Sequence, residues 1–403
     1  MTKVKNFKPA HFIFITVVLD MMGIGLIVPV LPDVVRRYTS DPAEVNRYFG
    51  YFVATYAAMQ FFASPILGAL SDKYGRRPIL LSSLFGAALD YMFMAFAPSL
   101  PLLFVGRVIS GLTGASMTVA NSYMADVSDD SNRAANFGLI GAGFGIGFIL
   151  GPIIGGLLGH VDASAPFIGA AAMNFINLGF GIFVLPESLK PENRRNIELS
   201  KLNPISSFAK LLKQSEIMIF IVTYALMMLA GQVHPSVWTL YTEHKFHWTS
   251  WQVGLSLSVV GIVFGISQGI LTKKLVPKWG EQNALKVGLF FSVFGFMLYA
   301  TASQGWMMYL IIVGTCLSSL SGPCLQSLMT RQVDPDRQGE LQGGLVSLTS
   351  VTSIIAPLLY SSAFNWATGQ KFAINIVGLP YFLAAVIVFL SWILLLKTLQ
   401  RKN

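Results

Sequence analysis

Residues 12–30 read FIFITVVLDMMGIGLIVPV, and Asp20 is the only ionisable side chain among them. A helix needs roughly 20 apolar residues to cross a hydrocarbon core about 30 Å thick. The run has that length. It is too long for the apolar region of a secretory signal and lacks a small-residue cleavage site after it, so it reads as a first membrane helix near residues 10–31.

The same pattern recurs outward from this segment. Further apolar runs lie near residues 48–70, 79–97, 102–125, 135–158 and 166–185, and then near 217–241, 251–272, 284–302, 306–330, 341–363 and 374–396. Of the 403 residues 54% are hydrophobic and 12% charged, about half the charge of a typical soluble domain. A soluble helical protein would need a polar face on most helices, and these runs have none. The expected fold class is therefore an all-α membrane protein of 12 transmembrane helices. Residues 1–186 form one six-helix bundle, 187–213 a cytoplasmic linker and 214–403 a second six-helix bundle. The linker carries Lys190, Arg194, Arg195, Lys201, Lys210 and Lys213.

The net charge of +9 sits in short loops, which argues for a record of membrane orientation and against a nucleic-acid partner. With the N-terminus inside, 22 of the 28 Lys and Arg residues fall on the cytoplasmic side, which predicts both termini inside. Cys316 and Cys324 are about 12 Å apart along one expected helix, too far for a disulfide.

Three ionisable residues stand at membrane depth, where each costs at least about 2.5–3.5 kcal/mol. Asp20 lies about 15 Å from either end of the first helix. Asp90 is roughly 10 Å from the external end of the third helix, and Arg107 about 8–9 Å into the fourth, so the two share a level. They form either a static ion pair or a protonation site tuned by burial and by the arginine. Asp20 reads as a proton or cation site, or as a packing group of its own helix.

Polar side chains also interrupt the runs: Asn121, Tyr123, Asn174, Asn177, Gln232, His234, Gln268 and Gln326. Hydrogen bonding between helices explains most of them. Asn121, Gln232, His234, Trp238 and Gln268 are the candidate substrate contacts, Gln232 and His234 first among them because Pro235 frees a backbone carbonyl one turn earlier. Trp238 could stack a flat ligand or serve as an interfacial residue. Gly147, Gly151 and Gly155 repeat every four residues with Pro152 and Gly156 beside them, placing a close-packing face on the fifth helix.

Residues 68–78, GALSDKYGRRP, join the second and third helices, and a weaker echo runs from Gly269 to Gly280. The first of these loops, with Gly68, Asp72, Arg76 and Arg77, resembles the loop signature of the major facilitator superfamily. Arg107-Val-Ile-Ser-Gly111 and the glycine run of the fifth helix resemble motifs of its proton-coupled antiporters. Leu19-Asp20 through Pro32, Gly86-Ala-Ala-Leu-Asp90-Tyr91 and Gly231-Gln232-Val233 resemble its tetracycline–proton antiporter branch. The resemblance spans nearly the whole chain. It implies that Asp72 contacts the start of the eleventh helix, around Gly339 to Gly343, and that protons couple through Asp20, Asp90 and Arg107.

One departure stands out. Members of that branch carry a histidine on the eighth helix and an aspartate on the ninth, and alignment through Gln268 and Lys278-Trp-Gly-Glu281 puts Phe264 and Ser292 there. This speaks against tetracycline itself as substrate.

The leading expectation is a proton-coupled multidrug or small-molecule efflux antiporter working by alternating access, multi-pass in a bacterial inner membrane. Its partners would be a small amphipathic substrate, protons and membrane lipid, with no cofactor or metal and a monomeric state. The alternative is a proton-linked transporter of a sugar, organic acid or siderophore. An anionic substrate among these would favour basic groups in the cavity, and apart from Arg107 the sequence places none there. A non-transporting sensor has no physical need for both the loop and the glycine motifs. No nucleophile–base pair supports an enzyme.

Overall fold

A computed structural model describes residues 9–114, 116–129, 133–194, 217–333, 338–369 and 376–401, and no strand occurs among them. Arg195, Lys201, Lys210 and Lys213 of the expected linker lie outside the described residues. Among the described residues eleven helices are long and apolar enough to cross a membrane, and a bent pair makes a twelfth span. In chain order these are α1 (Pro9–Ile27), α2 (Pro42–Tyr74), α3 (Arg76–Phe96), α4 (Leu100–Asp126), α5 (Asn136–Val161), α6 (Ala165–Val184), α7 (Met218–Phe246), α8 (Ser250–Trp279), α9 (Glu281–Thr301), α10 (Gly305–Gly314 with Cys316–Thr330), α11 (Leu341–Gly369) and α12 (Leu379–Leu396). Each expected run holds a helix, and most extend a few residues beyond the apolar window because polar loop residues continue the last turn. The first stops at Ile27 and the last starts at Leu379, short of the expected 31 and 374.

Contacts divide the chain into two compact units. One holds Met1–Thr39, Thr55–Asn203 and Thr249–Ser258, and the other holds Ser40–Ala54, Pro204–Trp248 and Val259–Asn403. The start of α8 thus belongs with the first unit and the start of α2 with the second.

In the first unit α1 packs along α5. Lipid gives helices no hydrophobic reason to associate, so the attraction must come from close backbone approach over small residues. A Cβ on Gly147 would stand 2.5 Å from the Val18 carbonyl oxygen and 2.6 Å from Met21 Cβ. One on Gly151 would stand 2.7 Å from the Met22 carbonyl oxygen, and one on Gly155 would overlap Leu26. The every-fourth-residue stripe is therefore filled by α1. The flank beside it meets the start of α8, where a Cβ on Gly156 would lie 2.7 Å from the Ser250 carbonyl oxygen. Pro152 sits within α5 without ending it.

In the second unit two helices are irregular at the same place. α8 contains a wide π-type turn at Ser267–Leu271 and α10 a tight 3₁₀ stretch at Cys316–Leu320, with a 43° bend between its two halves. Ser267 Oγ donates to the Cys316 carbonyl (2.8 Å), Gln268 Nε2 donates to the Ser319 carbonyl (3.2 Å), and the Ser267 and Ser319 hydroxyls are bonded to each other. Irregular backbone at membrane depth survives only where such partners satisfy it. Cys316 and Cys324 are free thiols.

Gly151→Ala is expected to lower the unfolding free energy by about 1–3 kcal/mol. Its methyl would meet the backbone of α1. Gly145→Ala, with nothing within 4 Å of the new methyl, is expected to be neutral or slightly stabilising. Thermal unfolding of the two purified variants in detergent checks both.

Candidate functional site

The ionisable groups of the first unit converge. Asp90 of α3 is fully buried and forms an ion pair with Arg107 of α4, itself 9% exposed. Two glycines let α3 and α4 come together there: a Cβ on Gly106 would stand 3.0 Å from Asp90 Oδ1, and one on Gly86 would overlap Thr113. Ser110, one turn past Gly106, stands beside the carboxylate, and no hydrogen bond of ordinary geometry reaches Asp90 Oδ1. The Arg107 guanidinium also lies over the Tyr56 ring of α2, 5.7 Å from its centroid, a cation–π contact that strengthens away from water.

Asp20 of α1 is partly exposed. It lies within electrostatic reach of Tyr56 and Tyr91, and the same two tyrosines interact with Asp90 and Arg107. The three expected proton-coupling residues thus share one pair of phenols. Tyr91 packs its hydroxyl against Gly23, where a Cβ would be 3.0 Å away. Tyr56 is held in turn by Gln60, whose Nε2 donates to the Tyr56 hydroxyl (3.2 Å) and to the Gly114 carbonyl (2.7 Å). Neither tyrosine was among the expected site residues. The signal that finds them is a phenol four residues before Gln60 and one directly following Asp90.

The loop signature builds a separate charged cluster. Gly75 has φ +107°, a left-handed conformation that side chains resist, and a Cβ there would overlap the Glu187 carboxylate. Glu187 accepts from the Arg76 and Arg77 backbone N–H groups (2.8 and 3.2 Å) and so caps the start of α3. The Arg76 side chain is ion-paired with Asp72 and with Asp126 of α4 (3.1 Å), and Ser188 donates to that same Asp126 (2.9 Å). Arg77 donates to the Ile182 carbonyl (2.6 Å). Gly68 meets only the Thr118 methyl at an ordinary 3.9 Å.

The second unit carries the remaining candidates. α7 breaks at Gln232, between helices ending at Gly231 and starting at Val233. Gln232 Nε2 donates to Ser353 Oγ of α11 (2.5 Å), and Ser236 Oγ returns a bond to the Gln232 carbonyl (2.6 Å). His234 lies among four rings: Tyr299 at 5.2 Å, Trp238 at 5.3 Å, and Phe296 and Tyr381 each at 5.6 Å between centroids. Trp238 is 1% exposed, so it is neither an interfacial ring nor an open platform for a flat ligand: it helps wall in His234. Asn121 is partly exposed on α4. Gln268 lies in the π-type turn already described. Phe264 is 51% exposed, and Ser292 bonds the Gly288 carbonyl of its own helix (2.9 Å). No group of three or more His, Cys, Asp or Glu residues that could hold a metal occurs among the described residues.

Eleven apolar helices and a bent twelfth pair among the described residues, with a carboxylate–guanidinium pair buried within the first unit, are those of a multi-pass membrane transporter, not an enzyme. The chain belongs to the Major Facilitator Superfamily, whose profile matches residues 13–357. It is 42% identical over 349 residues to the class C tetracycline resistance protein of Escherichia coli, covering 87% of this chain and 88% of that one. It is 36% identical to the class B protein of the same organism, covering 93% and 94%. Among solved structures it is similar to the human organic anion transporter MFSD10 (TETRAN), with a TM-score of 0.69 and 22% identity over 96% of this chain and 98% of that one. That last likeness concerns the fold.

Removing one partner of a buried ion pair leaves a charge without compensation and costs about 3–5 kcal/mol, whereas removing both costs far less. Arg107→Met is therefore expected to destabilise the protein strongly, and Asp90→Asn in the same chain to restore most of the loss. Thermal unfolding of the single and double variants in detergent measures the difference.

Proposed function

We propose that this chain is a proton-coupled drug antiporter, exporting an amphipathic, aromatic or cationic small molecule by alternating access across a bacterial inner membrane. The observation that carries this reading is the shared environment of Asp20, Asp90 and Arg107, one ion pair and one partly exposed carboxylate linked through Tyr56 and Tyr91. A partly exposed carboxylate at membrane depth can exchange a proton for a cation or drug. Relatives at 36–42% identity that are named tetracycline resistance proteins support the drug class.

The protons are carried by Asp20 and Asp90, with Arg107 holding Asp90. The Asp72–Arg76–Asp126 and Glu187 contacts at the α2–α3 turn and the Gly147, Gly151, Pro152 and Gly155 face of α5 are the conformational elements. Asn121, Gln232, His234 and Gln268 are candidate substrate contacts, with Trp238 supporting His234. Both termini face the cytoplasm, as the distribution of Lys and Arg favours.

Phe264 and Ser292 bring no charge and no metal ligand to the eighth and ninth helices. They therefore support a substrate range that does not depend on a metal–drug chelate.

Inside-out vesicles loaded with protons, then challenged with ethidium, benzalkonium and tetracycline, test the reading. At least one compound is expected to release lumenal protons, with the response lost in Asp20→Asn and in Asp90→Asn. Its size is expected to be unchanged by chelating divalent metal. Full proton release in the Asp20→Asn variant would sink the proposal.

A further inference from the structure

α6 supplies a polar pair that the site described above does not use. Asn174 and Asn177 are each 1% exposed and lie on one side of α6, three residues apart. Asn177 Oδ1 accepts from Thr16 Oγ1 of α1 at 3.3 Å. Asn174 Nδ2 donates to the Ala170 carbonyl at 2.9 Å, and this fixes the orientation of the amide, because its oxygen has nothing to donate. Asn174 Oδ1 is then a buried acceptor with no hydrogen-bond partner. Such an atom costs about 1–3 kcal/mol unless something fills it at some stage of the working cycle.

The register of α1 against α6 points to what fills it. Phe12 stacks on Phe180 at 5.3 Å, and a Cβ on Gly181 would meet the Phe12 ring at 3.1 Å. Four residues along α1, Thr16 bonds Asn177. The helices run antiparallel, so one further turn brings Asp20, on the Thr16 side of α1, to the level of Asn174, on the Asn177 side of α6.

We propose that Asn174 Oδ1 is the hydrogen-bond acceptor for the proton that Asp20 carries. An amide oxygen repels a carboxylate and accepts from a carboxylic acid, so it favours the loaded form alone. A proton arriving from water binds Asp20, and its O–H turns to Asn174. When that proton leaves to water, the acceptor is vacated. Asn174 is a positioning residue in this scheme.

The other groups around Asp20 do different work. Tyr91 of α3 and Tyr56 of α2 face it, and both also interact with Asp90 and Arg107. α5 meets this stretch of α1 with Gly147, Gly151 and Pro152, which carry no titratable group. Asn177 Oδ1 is already engaged by Thr16, and its Nδ2, a buried donor with no partner, can bond only an acceptor and so cannot take the acid's O–H.

The proposal rests on the reading of Asp20 as a proton-carrying group, and its test needs no substrate. Infrared difference spectra of the purified protein in liposomes, recorded across pH, resolve the carboxylic-acid carbonyl band that disappears in Asp20→Asn. In Asn174→Leu the midpoint of that band is expected to fall by about half to one pH unit. The band is also expected to move to higher frequency, because the O–H has lost its acceptor. Asn174→Ser, which keeps a smaller acceptor, is expected to fall between the two. Asn177→Leu is expected to leave the midpoint in place. An unchanged band in Asn174→Leu, or an equal shift in Asn177→Leu, would overturn the assignment while leaving Asp20 as a titrating group. Absence of any titrating band lost in Asp20→Asn would instead overturn the reading of Asp20 itself.

Discussion

Hydrocarbon solvates neither a backbone amide nor a charge, and the organisation of this chain follows from that deficit. Each span satisfies its own amides by being helical. Where helices break, side chains take over freed groups: Ser236 bonds the Gln232 carbonyl within α7, and Ser267 and Gln268 of α8 bond the Cys316 and Ser319 carbonyls of α10. The same deficit makes the three midmembrane charges costly, and their arrangement reflects the cost. Asp90 and Arg107 neutralise one another out of water, while Asp20 keeps partial exposure. A buried ion pair and a partly exposed carboxylate thus lie within electrostatic reach of the same two phenols.

Packing in lipid depends on how closely backbones approach, and here function and stability use the same residues. Gly147, Gly151 and Gly155 bring α5 onto the stretch of α1 from Val18 to Leu26, which contains Asp20. Gly106 makes room for the Asp90 carboxylate and Gly86 for Thr113. The glycines therefore set how closely α5 approaches α1 and α4 approaches α3 around the two carboxylates. Glu187 has a comparable role at the α2–α3 turn: the segment that follows α6 reaches back to cap α3, with Arg76 bonded to Asp72 and Asp126 beside it.

Much of this was legible in the sequence because bilayer thickness imposes a length on each apolar run, and because a charge inside such a run is conspicuous. The twelve spans and the shared level of Asp90 and Arg107 could be read from spacing alone. The π-type turn in α8 and the 3₁₀ stretch in α10 could not, since the bonds from Ser267 and Gln268 to the Cys316 and Ser319 carbonyls join residues about 50 apart in sequence. The ring set around His234 gathers side chains from α7, α9 and α12, whose adjacency no local pattern encodes. Trp238 was read as a possible stacking surface because its neighbours in space, Tyr299 among them, are distant in sequence. Glu187 looked like the first residue of a linker, and its capping role depends on where α6 ends relative to the start of α3.

The central claim is that substrate and proton compete through Asp20 and Asp90. The most direct measurement is proton release on adding ethidium or tetracycline to the purified protein in weakly buffered detergent solution. The account predicts that at least one compound displaces protons from the natural protein and that neither does so from a chain carrying Asp20→Asn and Asp90→Asn together. Tight binding of either compound to the natural protein with no proton released would contradict it.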